Sequence, residues 1–325
     1  MTSTSLPGLS PDPELSVVVI VGPLRERAAG CLESLLSQDA VARMEVLLVD
    51  LRSDLPPVEG ASHPAVVTLP MSPDASFAEA RVGAIRAARG NAVALVEEHS
   101  RALPGWAAAV LAAHAEGWAA VASEMHVANP GIGKADVNGV MNYGLFGPPL
   151  ARGEGTMAPP FHTSFLRSAL LELGDELPTA AFSDICLWEG VRRRGGRLLQ
   201  EPAARLAHIN ETSLREPFLA DFHFHRFWVG WRRRTEGWSL VRTAAAVLLF
   251  PVYPAYYLVL YGRRLRARHP ESARVLRRHW LHAWLRQLGP ALGQAAGILF
   301  GPGRAAARFT RYEIVERRGT ANGPL

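Results

Sequence analysis

Apolar residues follow two rhythms in the N-terminal two thirds of the chain. Continuous apolar runs at 15–21 (LSVVVIV), 44–50 (MEVLLVD), 66–69 (VVTL), 92–96 (AVALV) and 119–124 predict buried strands. Between them, 25–38, 77–89 and 106–115 carry apolar side chains at helical spacing. The first of these does so at Ala28, Cys31, Leu32, Leu35 and Leu36, and Gly90 stops the second. Strands alternating with helices of this length imply an α/β class with a mostly parallel sheet flanked by helices. Further on, 165–173 and 183–194 predict helices, the latter ended by Gly195 and Gly196, and 198–208 predicts a strand. The stretch 126–165 loses periodicity and is rich in Gly, Pro and Asn, as expected of loops over a site.

Beyond about residue 217 the pattern changes. Residues 244–261 are uncharged, flanked by Arg242 and by Arg263 and Arg264. Such a run is at the short limit for a membrane span, and Pro251 and Pro254 interrupt it. A second uncharged stretch, 287–303, is rich in Gly and Pro, with a basic helix expected over 263–286 between the two. Arg flanks with Trp and Tyr at the margins favour contact with a membrane, as kinked helices or as helices lying in the interface. The competing reading is a pair of buried hydrophobic helices in a soluble domain.

Charge sharpens this division. Residues 211–325 hold 19 Arg against 7 acids, whereas the rest of the chain holds 16 basic residues against 23 acids. A basic C-terminal region of this kind suits an anionic surface. Its Arg residues flank apolar runs, which favours lipid over nucleic acid. Lys134 is the only lysine, in keeping with a GC-rich bacterial coding bias. Two isolated cysteines, Cys31 and Cys186, make neither a metal spacing nor a disulfide framework. Residues 1–14 are Ser/Pro/Thr-rich, without the basic and apolar segments of a signal peptide, and read as a flexible arm.

The candidate chemistry sits at strand ends. Glu97, Glu98 and His99 follow the run 92–96 and deliver three metal-competent side chains to the carboxyl edge of the sheet, where open α/β sheets bind ligands. Oxygen ligands suit Mg²⁺ or Mn²⁺, and an imidazole shifts the preference toward Mn²⁺ or later metals; the bland alternative is a solvated acidic turn. Asp50 ends another buried strand and can accept from a nucleobase or ribose, or cap a turn. Arg81 can pair with a phosphate or with an acid. Asp184 opens a helix among apolar neighbours, either complementing the helix dipole or acting as a base of raised pKa. His208, at the end of a predicted strand, is a structural imidazole or a ligand. His223 and His225 can be taken as a metal pair, but an amphipathic helix accounts for both.

The order of these features resembles the family 2 glycosyltransferases of the GT-A fold. The resemblance is carried by SVVVIV (16–21), CLESLLSQ (31–38), EVLLVDLRSD (45–54), AEARVGAIRAARGNAVALVEEHSRALPGW (78–106), FHTSFLR (161–167) and SDICLWEGVRRRGGRLLQEPAARLAH (183–208), with a looser match at GILFGPG (297–303). It implies a GT-A-like catalytic domain over 15–215 and a helical, membrane-associated region over 216–325. It also implies an inverting transfer of a sugar from a UDP- or GDP-linked donor to an acceptor hydroxyl at the cytoplasmic face of a cell membrane. The acceptor is open, with a lipid-linked or cell-envelope glycan among the candidates.

By the same resemblance, Asp50, Arg81, Glu97 and Glu98 meet the donor, and Glu97, His99 and His208 hold Mn²⁺ or Mg²⁺. Asp184 is the base, and His162, Thr163 and Trp188 lie in the acceptor or donor loops. The chain departs from the family where Glu-x-His replaces Asp-x-Asp and where Ser183 replaces the Glu before the base. No Gln-x-x-Arg-Trp of processive synthases is present, so a single transfer is expected rather than polymerisation. The departures also admit a membrane-attached pseudoenzyme that keeps the fold without turnover. A nicotinamide or flavin enzyme is disfavoured, because Gly22-Pro23-Leu24-Arg25 follows the first strand in place of Gly-x-Gly-x-x-Gly.

Overall fold

A computed structural model of the chain describes residues 12–316; the arm expected at 1–14 falls, up to residue 11, outside them. The described residues form two compact units. One comprises the chain up to Ala128 together with Pro148–His208, and the other Asn129–Gly147 together with the chain from Ile209.

The first unit is built on one sheet of nine strands: β1 (Leu15–Val21), β2 (Met44–Asp50), β3 (Val66–Pro70), β4 (Ala92–Glu97), β5 (Ser100–Ala102), β6 (Ala120–Val127), β7 (Gly153–Gly155), β8 (Thr163–Leu166) and β9 (Leu198–His208). Their order is β3-β2-β1-β4-β8-β6-β9-β5, with β7 also on β9. β3, β2, β1 and β4 pair in parallel, as do β6 and β9. β8 lies antiparallel between β4 and β6, which leaves those two pointing the same way. The expected α/β class and mostly parallel sheet are therefore what the chain forms.

The continuous apolar runs account for the centre of this sheet. Every residue of β1, β2 and β4 is buried, which is how strands covered on both faces read in sequence. The helix Arg25–Leu36 buries Ala28, Cys31, Leu32 and Leu35. The helix Phe77–Ala87 starts at Ser76, whose hydroxyl accepts from the Glu79 N–H while the Glu79 carboxylate takes the Ser76 N–H. It ends before Gly90, which has no room for a side chain: a Cβ there would stand 2.6 Å from the Ser16 amide nitrogen.

Three local expectations are corrected. The helix expected over 165–173 begins only at Arg167, because 163–166 is strand β8, with Phe165 fully buried in the sheet. The stretch 126–165 contains the helix Gly133–Tyr143, whose Val137, Val140 and Met141 form an apolar face hidden in sequence by its Gly and Asn content. The basic helix expected over 263–286 is divided at His269 and His279 among three helices, Tyr253–Arg268, Pro270–Arg278 and Trp280–Phe300.

The second unit is helical. Val137, Val140 and Met141 pack with Tyr261, Leu265, Leu276 and Ala283. Arg286, also buried, donates to Asp221 Oδ2 at 2.8 Å and to the Asn138 carbonyl at 3.1 Å. Helices Arg215–Thr235 and Trp280–Phe300 meet backbone to backbone. Gly289, Gly293 and Gly297 lie against the carbonyls of Phe218, Phe222 and Arg226, and a Cβ on any of them would fall within 2.5 Å of the carbonyl oxygen. The uncharged run 244–261 is broken after Leu249 and resumes at Tyr253 with an 85° bend. Among the described residues no single helix is long and apolar enough to cross a membrane; this bent pair meets the length and composition test only jointly.

Candidate active site

The site collects at the carboxyl edge of the sheet, where the strand order turns back between β1 and β4. Val21, the last residue of β1, is paired with Asp50 of β2, and its neighbour Ile20 with Glu97 of β4. Both acids thereby sit at the same edge. The chain then turns through Glu98 and His99 into β5, which runs antiparallel to the end of β9 with Ser100 opposite His208. This pairing brings His208 to His99 across 109 residues of sequence. β8 is antiparallel to β4, with Ser164 opposite Ala94, so that His162 arrives just beyond the ladder beside Glu97.

Three imidazoles surround one carboxylate oxygen. Glu97 Oε2 lies 2.8 Å from His162 Nε2, 3.3 Å from His208 Nε2 and 3.5 Å from His99 Nε2. The Nε2 atoms of His99 and His208 are 3.0 Å apart. All four side chains are buried. Burial alone would raise the Glu97 carboxyl. The charge of His99 and the hydrogen bonds from His162, His208 and His99 outweigh it and hold Glu97 well below the usual carboxylate range. Burial holds the His162 imidazole below its ordinary value, against the pull of Glu97.

The donor set fits a divalent ion. Glu97, His99 and His208 offer one oxygen and two nitrogens that converge on a point. Ligands about 2.1 Å from a common ion are about 3.0 Å apart at an octahedral edge and about 3.4 Å apart at a tetrahedral one. The triangle of 3.0, 3.3 and 3.5 Å has that size. These three are also the residues that the sequence order singled out for the metal.

The remaining expected residues find partners within the unit. Asp50 takes a bidentate pair from Arg25, at 2.9 and 3.2 Å, and the Arg52 N–H at 2.9 Å, so its carboxylate also closes the turn after β2. Glu98 is ion-paired with buried Arg27 and accepts from His99 Nδ1 at 3.2 Å. It therefore fixes the imidazole with Nε2 toward the cluster.

Arg81 is paired with an acid: its guanidinium donates to Asp184 Oδ1 at 2.9 Å and packs over the rings of Phe77 and Phe161. Asp184 is fully buried at the start of the helix Asp184–Arg193, where Ser183 supplies the cap, and its Oδ2 accepts the Thr163 N–H at 2.7 Å. Burial pushes the Asp184 carboxyl up to about 7 despite Arg81 and Thr163, with Glu97 adding to the rise. Trp188 donates its indole N–H to the Thr156 carbonyl at 3.2 Å. Cys31 and Cys186 are buried, with thiols pushed up to about 12 by that burial.

Sequence reasoning placed His162 in a loop and passed over Arg27. The aromatic and β-branched residues of Phe161-His162-Thr163-Ser164-Phe165 were a faint strand signal, and the pairing of β8 with β4 brings His162 to the edge. Arg27 carries no such signal, since a cation beside an apolar helix face ordinarily points to water. His162 also has φ +72°, the left-handed region, among the described residues other than glycine the only such case. Backbone strain of that kind concentrates at functional sites.

No family profile matches the sequence, and no curated protein does. Among solved structures the chain is similar to GalNAc-T7, crystallised with UDP, GalNAc and Mn²⁺. Identity is 15%, the TM-score is 0.43, and the overlap spans 61% of this chain but only 43% of that one. At that extent the likeness adds nothing to the residue-level reading of the site.

Proposed function

We propose that the chain is an inverting, nucleotide-sugar-dependent glycosyltransferase of the family 2 type. The observation that supports it best is the convergence of Glu97, His99 and His208 at the strand edge that also presents Asp50, with Asp184 one hydrogen bond from the same β8 segment. Glu97, His99 and His208 would hold Mn²⁺ or Mg²⁺. A divalent ion there supplies charge neutralisation for a departing diphosphate. Asp50 and Arg25 stand at the tip of β2 for the nucleoside. Asp184 takes the acceptor hydroxyl proton as the oxygen attacks the anomeric carbon and the bond to the diphosphate breaks. Attack from the face opposite the leaving group inverts the configuration.

Proton transfer requires Asp184 to be uncovered. Its two oxygens are held by Arg81 and by the Thr163 N–H, so the 161–163 segment must lift for an acceptor to reach it. Because the base acts ionised and its pKa is about 7, kcat/KM should rise with pH and level off above about 7. Below that it should fall about tenfold per unit. A flat profile between pH 5 and 8 would remove Asp184 as the titrating base. The same sequestration favours a second reading, a scaffold that binds nucleotide without turnover. Hydrolysis or transfer of UDP- and GDP-sugars by purified protein, with Mn²⁺ or with EDTA, separates the two.

The second unit we place on the anionic cytoplasmic face of a bacterial cell membrane. In support, Leu240, Val241, Leu248 and Phe300 are each more than three quarters exposed, and Arg263, Arg264, Arg266 and Arg268 end the helix that follows the bend. Exposed apolar side chains and a cluster of cations on the same unit match an acidic lipid surface. Vesicles containing phosphatidylglycerol should float the protein at least about tenfold more efficiently than neutral ones, with the gap narrowing in high salt. Equal flotation on both, or none, defeats the placement. An acceptor carried by such a surface, a lipid-linked or cell-envelope glycan, follows from it.

A further inference from the structure

The geometry points to a site whose two imidazoles select a late first-row divalent cation against Mg²⁺, with His162 as the residue that positions its carboxylate. It deepens the transferase reading and rests on it for the task the ion serves, but binding is measurable without turnover.

The donor set is one carboxylate and two imidazoles. Mg²⁺ dehydrates reluctantly and takes oxygen ligands, whereas imidazole suits Zn²⁺, Co²⁺ and their neighbours, with Mn²⁺ tolerant of both. A site with Asp in place of His99 would present mostly oxygen. Here the nitrogens of His99 and His208 stand 3.0 Å apart, already at the separation that one ion imposes on adjacent ligands.

Two outer contacts hold the set in place. Glu98 accepts from His99 Nδ1, and Arg27 in turn pins Glu98, so that His99 presents Nε2. His162 Nε2 reaches Glu97 Oε2 at 2.8 Å and Ser100 Oγ at 3.2 Å. It lies outside the trio of mutually close ligand atoms and acts on Glu97 from the side. Its left-handed backbone is followed directly by Thr163, which Asp184 holds through the amide. The carboxylate is thus aimed at the two imidazoles by a side chain that itself has a fixed origin. Outer contacts of this kind commonly set metal affinity by about 10–100-fold.

Metal-stripped full-length protein should be titrated with Co²⁺, Mn²⁺, Zn²⁺ and Mg²⁺ separately, following heat and, for Co²⁺, visible absorption. One Co²⁺ per chain with visible bands is expected, bound at least about 100-fold more tightly than Mg²⁺. His162→Ala should weaken Co²⁺ by about 10–100-fold, and His162→Gln, which keeps an N–H donor, should recover most of it. His99→Asp should narrow the gap between Co²⁺ and Mg²⁺. Mg²⁺ binding as tightly as Co²⁺ overturns the selectivity. Unchanged Co²⁺ affinity in His162→Ala, or equal loss in the Gln variant, overturns the role of His162. Selective Co²⁺ binding without turnover of any nucleotide sugar would leave this inference standing and sink the transferase reading instead.

Discussion

Asparagine in place of Asp184 should lower sugar transfer by about 10²–10⁴-fold, the range supplied by a positioned general base. The exchange keeps one oxygen for the Arg81 guanidinium, now 2.9 Å from Oδ1. It also turns an NH₂ toward the Thr163 N–H, where a carboxylate oxygen accepts at 2.7 Å. Two donors then face each other in a fully buried site, and some loss of stability accompanies the loss of rate. The two effects separate by experiment. Nucleotide affinity and the melting temperature report the fold, and kcat at saturating donor reports the base. A variant that folds, binds nucleotide and still transfers at the original rate would make Asp184 a structural partner of Arg81 and nothing more.

The second large effect belongs to the helical unit. Gly293→Leu should destabilise that unit by about 3 kcal/mol or more, as overpacking against an unyielding neighbour does. The neighbour is the Phe222 carbonyl, which a Cβ would overlap, and a backbone carbonyl cannot rotate away as a side chain does. Gly289 and Gly297 repeat the contact one turn to either side, so the pair of helices must separate along its whole seam. Gly262→Ala provides the opposite sign. That helical position meets only Leu276 at 3.8 Å, and replacing a helical glycine should stabilise by up to about 1 kcal/mol. Denaturant unfolding of both variants checks the contrast; a Gly293→Leu midpoint at or above that of Gly262→Ala would refute the backbone seam.

The strands of the first unit were legible because β1, β2 and β4 are covered on both faces, and a short uninterrupted apolar run between turn residues is the pattern such burial demands. Glu97, His99 and His208 could be grouped through the order of motifs that carries the family resemblance. Their mutual distances could not, since those depend on the short β5 pairing with the far end of β9. The partners of Arg81 and Glu98 were illegible for a related reason: Asp184 lies 103 residues from Arg81, and Arg27 lies 71 from Glu98. Local pattern is blind to pairings at such separations. In 126–165 the obstacle was composition. Gly139 and Asn142 weaken the helical signal of Gly133–Tyr143, and neighbours more than a hundred residues away, Tyr261 and Leu265, supply the burial that stabilises it.

The place of β8 in the sheet has a consequence for synthesis. β4 and β6 emerge from the ribosome well before residues 163–166 exist, and until those arrive each offers an open row of amides and carbonyls to any passing strand. A nascent or truncated chain that stops short of Thr163 leaves β4 open on the side that β8 covers, and leaves β6 without either neighbour, since β9 also lies beyond that point. Such fragments should aggregate more readily than the full-length chain, and the strand whose absence opens β4 is also the one that carries His162 to Glu97.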